Sequence, residues 1–289
     1  MDGEDSCSKD LLVWTAGSVA FALLVARACI QSITIDEADT YLVFVARASP
    51  SHWSPAANNH VLNSLLMRLS TTILPPSAVT LRLPALLGGF IYLLACLRIT
   101  RCLSRGRLYR TSVFICLTFC PFIMDYLVAA RGYSLAVAFL VFAIAEGARF
   151  KARSNPVTAD GKEVSCVVIS CCMGLSFCAN FSFAVVDFAT AMGLFVWIGG
   201  TKPSFRTVAA FLLPGLVLAI CLVGPVMYHW PHGELTWGAK SLGEMRRSVI
   251  DAALFEPNPY ILNDWVLAGF NQIRRVPVPI TIVVVLWRI

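Results

Sequence analysis

Residues 11–30, LLVWTAGSVAFALLVARACI, form an apolar run about the length of a bilayer core, interrupted only by Arg27 near its end. Just beyond it stands Ile35-Asp36-Glu37-Ala38-Asp39-Thr40-Tyr41. Three carboxylates at the mouth of a membrane helix require a polar partner. Residues 1–10 carry Asp2, Glu4 and Asp5 instead of a basic leader, and the run is long for the apolar part of a signal peptide. It therefore reads as a membrane helix that stays in the chain.

Further apolar runs fall at 81–98, 111–128, 134–149, 164–181, 183–200 and 207–228, with another opening near 280. At 57% hydrophobic and 14% charged over 289 residues, the chain is too apolar for a soluble domain. Backbone in lipid must satisfy its own hydrogen bonds, so each run is read as a helix. The expected fold is an all-α, polytopic transmembrane bundle of about seven to eight spans, with Pro121 and Pro214 kinking theirs.

Basic residues set the expected orientation. Arg98, Arg101, Arg105, Arg107 and Arg110 flank one turn, Arg149, Lys151, Arg153 and Lys162 a second, and Lys202 and Arg206 a third, all on the side that becomes cytoplasmic by the positive-inside rule. Segments 31–80 and 229–280 then lie outside, although the second also holds Lys240, Arg246, Arg247, Arg274 and Arg275. The net charge of +6 is spread over these turns and gathers on no single face, which argues against nucleic acid as a partner and for the lipid bilayer.

The remaining composition narrows the chemistry. Of eleven cysteines, Cys29, Cys96, Cys116, Cys120, Cys166, Cys171, Cys172, Cys178 and Cys221 lie in apolar runs, where thiols act as small hydrophobes. Cys171-Cys172 has no zinc spacing, and His229 and His232 are too isolated to form a metal site. No P-loop or dinucleotide loop is present, so no cofactor is expected, and a divalent metal requirement stays open.

The first outer segment carries the polar signatures. Asp39 to Ser49 reads as an interfacial helix with Leu42, Val45 and Ala46 on its apolar side and Pro50 as its stop. After a turn at 50–55, Asn58 to Leu74 reads as a second one, its Val61, Leu62, Leu65, Leu66 and Leu69 at helical spacing and its Asn59, Asn63 and Arg68 polar. Together they would cover a cavity and present Asp36, Glu37 and His60. Each residue also has a plainer reading. The three carboxylates favour a helix N-terminus, His60 serves as an interfacial hydrogen-bonding residue, Arg82 anchors to headgroups, and Arg131 pairs with Asp125. Glu146, near a cytoplasmic end, and Asp187 lie in or near spans, where ionisable groups point to function.

The order of four signatures, over roughly residues 30–140, resembles the GT-C superfamily of membrane glycosyltransferases. These are the acidic pair Asp36-Glu37, Asn58-Asn59-His60 on an amphipathic helix, Arg82-Leu83-Pro84-Ala85, and Ala130-Arg131-Gly132-Tyr133. The likeness is nearest to protein O-mannosyltransferase-like enzymes and to bacterial members that use polyprenyl-phosphate sugars. Their His-Pro-Pro-Leu is matched by His60-Val61-Leu62-Asn63 only at the histidine.

The resemblance implies a GT-C core at 1–228 with a catalytic loop at 31–80, an outer segment at 229–280, and a further helix opening at 281–289. It implies an inverting hexosyl transfer, with mannose as one sugar, from a lipid-linked donor to an extracytoplasmic lipid, glycan or protein. Asp36 or Glu37 would take the acceptor's proton and Arg131 would bind the donor phosphate, with Asp39, Asn59, His60 and Arg82 in support. Trp230, Trp237, Tyr260 and Trp265 would offer either a sugar-binding surface or an interfacial aromatic belt. The membrane would be the bacterial inner membrane, or the endoplasmic reticulum in a eukaryote. The competing expectations are a transporter or flippase whose cavity is lined by Asp187, Glu146 and Arg131, and a truncated, inactive relative of the enzymes.

Overall fold

A computed structural model describes residues 2–46, 55–56, 58–102, 106–152, 159–199, 203–230, 241 and 243–244. The chain divides into two units, Met1–Pro231 and His232–Ile289, and every helix named below lies in the first. The aromatic residues Trp237, Tyr260 and Trp265, the basic residues from Lys240 onward, most of the 50–55 turn and the helix expected near 280 lie outside the described residues.

All regular structure among the described residues is helical: α1 (Asp2–Ile30), α2 (Ile35–Asp39) continuing as a π-helical stretch (Thr40–Ala46), α3 (Val61–Ile73), α4 (Ala78–Cys102), α5 (Arg107–Thr118), α6 (Pro121–Tyr126), α7 (Tyr133–Ala152), α8 (Ala159–Ala179), α9 (Ala184–Gly199), α10 (Phe205–Leu222) and α11 (Gly224–Tyr228). Six stretches, Leu11–Ile30, Ala78–Cys102, Tyr133–Ala152, Gly161–Ala179, Phe181–Ile198 and Phe205–Leu222, are long and apolar enough to cross a membrane, the architecture of a multi-pass membrane protein. Cys29, Cys96, Cys102, Cys116, Cys120, Cys166, Cys171, Cys172, Cys178 and Cys221 are free thiols.

Two apolar cores share α7. One packs Leu24, Leu93, Phe114 and Leu127 around Ala138; the other packs Leu140 and Ala143 against Ile169, Leu194 and Phe211. Small residues let the helices approach closely. A Cβ on Gly88 of α4 would stand 2.6–2.7 Å from Ser134 and Leu135 of α7, and one on Gly174 of α8 would stand 2.5 Å from Gly215 O of α10. Such contacts are the usual cement of helices in lipid, where the hydrophobic effect does not press helices together.

The run expected as one kinked span at 111–128 is two helices. α5 stops at Thr118 and α6 restarts with Pro121 in its first turn. Proline has no N–H for the carbonyl four residues back, which is Leu117 O, and the Tyr92 hydroxyl of α4 donates to that oxygen at 2.7 Å. With a partner supplied from another helix, the ladder breaks here at little cost. The same device operates at Pro84 inside α4, whose freed acceptor, Thr80 O, lies 2.9 Å from Ser70 Oγ of α3. The first interfacial helix also differs from expectation. It starts at Ile35, before Asp39, because Thr34 caps it, and it buries Phe44 and Val45 while Leu42 and Ala46 stay exposed.

Arg101 lies over the Trp14 ring and Arg98 over Phe142, which gathers the arginine-rich ends of α4 and α7 with the start of α1. The ends of α1 and α6 meet at the other extreme of the bundle, where Arg27 pairs with Asp125. Arg131 therefore does not pair with Asp125 as its plainer sequence reading had it.

Candidate functional site

The chain leaves α1 at Ile30 and turns through 31–34 into α2 by a reciprocal cap. Thr34 Oγ1 accepts from Glu37 N at 3.3 Å, and Glu37 Oε2 accepts from Thr34 N at 2.9 Å. The same carboxylate accepts from Arg82 Nε (2.9 Å) and Nη2 (2.7 Å), and from Ala130 N (3.0 Å). Arg82 gives its other N–H groups to Ala28 O, Gln31 O and Ser32 O, so all five of its donors are engaged. Both residues are 2% exposed. This buried pair ties the end of α1, α2, α4 and the 127–132 turn together. Burial alone would push the Glu37 carboxyl up; the Arg82 guanidinium and the N–H groups of Thr34 and Ala130 outweigh it and hold the group below the usual carboxylate range.

Asp36, one residue earlier, faces outward. Its Oδ2 lies 2.5 Å from Arg131 Nη1, with the Asp36 side chain 66% exposed and that of Arg131 15% exposed. Arg131 also donates through Nη2 to Asn58 Oδ1. The arginine is aimed by its turn. Gly132 adopts φ +78, in the left-handed region, and a Cβ there would stand 2.1 Å from Ala179 O and 3.2 Å from the His60 Cβ. Asn63 Nδ2 donates to Ala130 O at 3.1 Å and fixes the same turn from α3.

His60, at the start of α3, is 3% exposed, and neither ring nitrogen has a hydrogen-bond partner among the described residues. Burial and the Arg131 charge hold its pKa down to about 4, so the ring is neutral near pH 7. Around it stand further buried polar atoms without partners: Asn59 Nδ2, Arg131 Nε, Asn180 Nδ2 and Trp230 Nε1 as donors, and Asn63 Oδ1 as an acceptor. Asn180 follows Ala179 against Gly132, and the Phe181 ring meets Trp230 edge-on at 5.3 Å. Tyr133, whose ring centre lies 5.9 Å from that of His60, is also on the wall of a cavity of about 250 Å³ with Phe122, Ile123, Tyr126, Val137 and Phe183. Unspent donors outnumber acceptors here, which suits a ligand rich in acceptor oxygens.

Of the residues singled out from sequence, Asp36, Arg131 and Asn58 make one outward-facing cluster, with Asn59 and His60 beside it. Glu37 and Arg82 form the buried pair beneath, so Arg82 is not a headgroup anchor. Asp39 is exposed at the end of α2. Glu146 and Asp187 sit elsewhere. Glu146 accepts from Arg149 and Ser165, whereas Asp187 bonds Ser176 and lines a cavity whose walls include neither Glu146 nor Arg131. Asn58 entered only as part of a motif and Asn180 was missed. A lone asparagine near the end of the apolar run 164–181 is the signal that would have found it. Among the described residues no three His, Cys, Asp or Glu side chains gather to hold a metal ion. Compared with protein-family models, with curated proteins and with solved structures, the chain matches none.

Proposed function

We propose that the chain is a glycosyltransferase of the GT-C type, moving a sugar from a polyprenyl-phosphate donor to a hydroxyl acceptor at the outer rim of the bundle. The observation that supports it most is the exposed Asp36 held against Arg131, while the neighbouring acid is fully spent on Arg82. In this reading the acceptor oxygen attacks the anomeric carbon from the face opposite the phosphate, and the bond from that carbon to the phosphate oxygen breaks with its electron pair. Asp36 takes the acceptor proton. Arg131 stabilises the charge that grows on the departing phosphate.

The partnerless donors of Asn59, Asn180 and Trp230, with the neutral His60 ring, supply hydrogen bonds for sugar hydroxyls. The aromatic cavity beside Tyr133 takes the first part of the lipid chain. Glu37 and Arg82 act through the backbone, setting where Asp36 and the 130–132 turn stand. The test is incubation of membranes containing the chain with radiolabelled polyprenyl-phosphate sugars, separating transfer from uptake. Label in a glycosylated acceptor supports the reading; label recovered only as intact donor on the far side of sealed vesicles replaces it with transport.

A further inference from the structure

Asp187 lies in the first turn of α9, 5% exposed, away from the cluster around Asp36. Its Oδ1 is 2.8 Å from Ser176 Oγ, and that hydroxyl is also 3.0 Å from Ala136 O. A serine hydroxyl owns one hydrogen, and a backbone carbonyl can only accept. Ser176 therefore either divides its one hydrogen between the two oxygens or gives it to Ala136 O and receives one from a protonated Asp187. α7 presents the Ala136 carbonyl to Ser176, and α8 brings Ser170 and Ser176. None of the cavity-lining residues of α10 is ionisable.

The second oxygen, Oδ2, is buried and has no partner among the described residues. It borders a cavity of about 350 Å³ between α8, α9 and α10, lined with Ser170, Phe177, Phe211 and Gly215. The cavity opens toward lipid, since Phe188, Leu212 and Leu216 on its rim are 69%, 55% and 54% exposed. Asp187 stands six residues, roughly 9 Å at about 1.5 Å per residue, from the start of the span Phe181–Ile198, which places it within the outer third of a hydrocarbon core about 30 Å thick.

We propose that this groove binds a neutral, hydroxyl-bearing lipid of the diacylglycerol kind, its hydroxyl donating to Asp187 Oδ2 and its chain lying along α9 and α10. An anionic lipid is disfavoured because the groove offers an acceptor oxygen and no cation, and an unpaired charge at this depth is costly. The site stands independently of the glycosyl-transfer reading.

The test uses the full chain in nanodiscs with a diacylglycerol carrying a photoreactive diazirine in one acyl chain. Unlabelled diacylglycerol or phosphatidic acid of the same chains competes, and cross-linked peptides are mapped. We expect competable labelling of α9 and α10 that diacylglycerol displaces and phosphatidic acid does not. Asp187→Asn keeps an acceptor oxygen and a donor for Ser176, so it should label within about twofold of the parent, whereas Asp187→Leu should lose roughly three- to tenfold. Ala191→Phe, which fills the cavity from α9, should lose as much and serves if the leucine variant does not accumulate. Equal competition by phosphatidic acid, parental labelling of Asp187→Leu or Ala191→Phe, or a loss in Asp187→Asn as large as in Asp187→Leu would each overturn the proposal.

Discussion

A carboxylate that already accepts from two guanidinium nitrogens and from the Thr34 and Ala130 N–H groups has no lone pair left for a proton in transit, whereas its neighbour in sequence meets water. Asp36 and Glu37 should therefore respond differently to the loss of one charge. Glu37→Gln strands the Arg82 charge in the interior and should cost about 3–5 kcal/mol, read as a lowered unfolding temperature in detergent and poor accumulation. Asp36→Asn, on an exposed side chain, should change stability by no more than about 0.5 kcal/mol. His60 gives the site a pH signature. The unfolded chain takes up a proton on this ring near pH 6.5, and the folded chain refuses it until about pH 4. Stability should then fall as pH drops through that window, by about 3 kcal/mol at its acid end. Glu37 adds its own acid-side loss, which begins only near the ordinary carboxylate range. Thermal unfolding between pH 7 and 5 should thus slope less in His60→Gln than in the parent; an unchanged slope would show that the ring titrates freely.

At the scale of elements, the close approach of α4 and α7 carries the 127–132 turn, because Ser134 Oγ donates to Ala85 O at 2.6 Å just after Arg131 and Gly132. Gly88→Ala places a methyl within 2.6–2.7 Å of Ser134 and the Leu135 backbone and should destabilise by about 1–3 kcal/mol. Gly193→Ala, with nothing within 4 Å, should leave the unfolding temperature close to the parent's. The helices themselves were legible in the sequence, because an apolar run of bilayer length has few other solutions. The break at Phe119–Cys120 was not. Whether Pro121 bends or ends a helix depends on a hydroxyl for Leu117 O, and that hydroxyl comes from Tyr92 on another helix. The start of α2 has a local cause: Thr34 and Glu37 form a capping box whose signature overlaps the acidic cluster.

In the whole molecule, the four polar signatures lie in separate segments of the chain and converge at one end of the bundle, opposite the arginines of α4 and α7. Their presence could be read from the sequence; their division of labour could not, because Asp36 and Glu37 look alike until Arg82 buries one of them. Asn180 and Trp230 join the site only through the packing of 179–181 against Gly132 and of Trp230 against Phe181. The central claim is that Asp36 and Arg131 carry the chemistry on a scaffold fastened by Glu37 and Arg82. Its most direct test is the single-turnover rate of sugar transfer from radiolabelled polyprenyl-phosphate donor, measured on equal amounts of folded parent, Asp36→Asn and Arg131→Lys. We expect Asp36→Asn to lose about a hundredfold or more with the protein still folded. Arg131→Lys should lose most of its rate as well, since an ammonium cannot reproduce a two-pronged contact to phosphate oxygens. Transfer at the parental rate by either folded variant would contradict the claim.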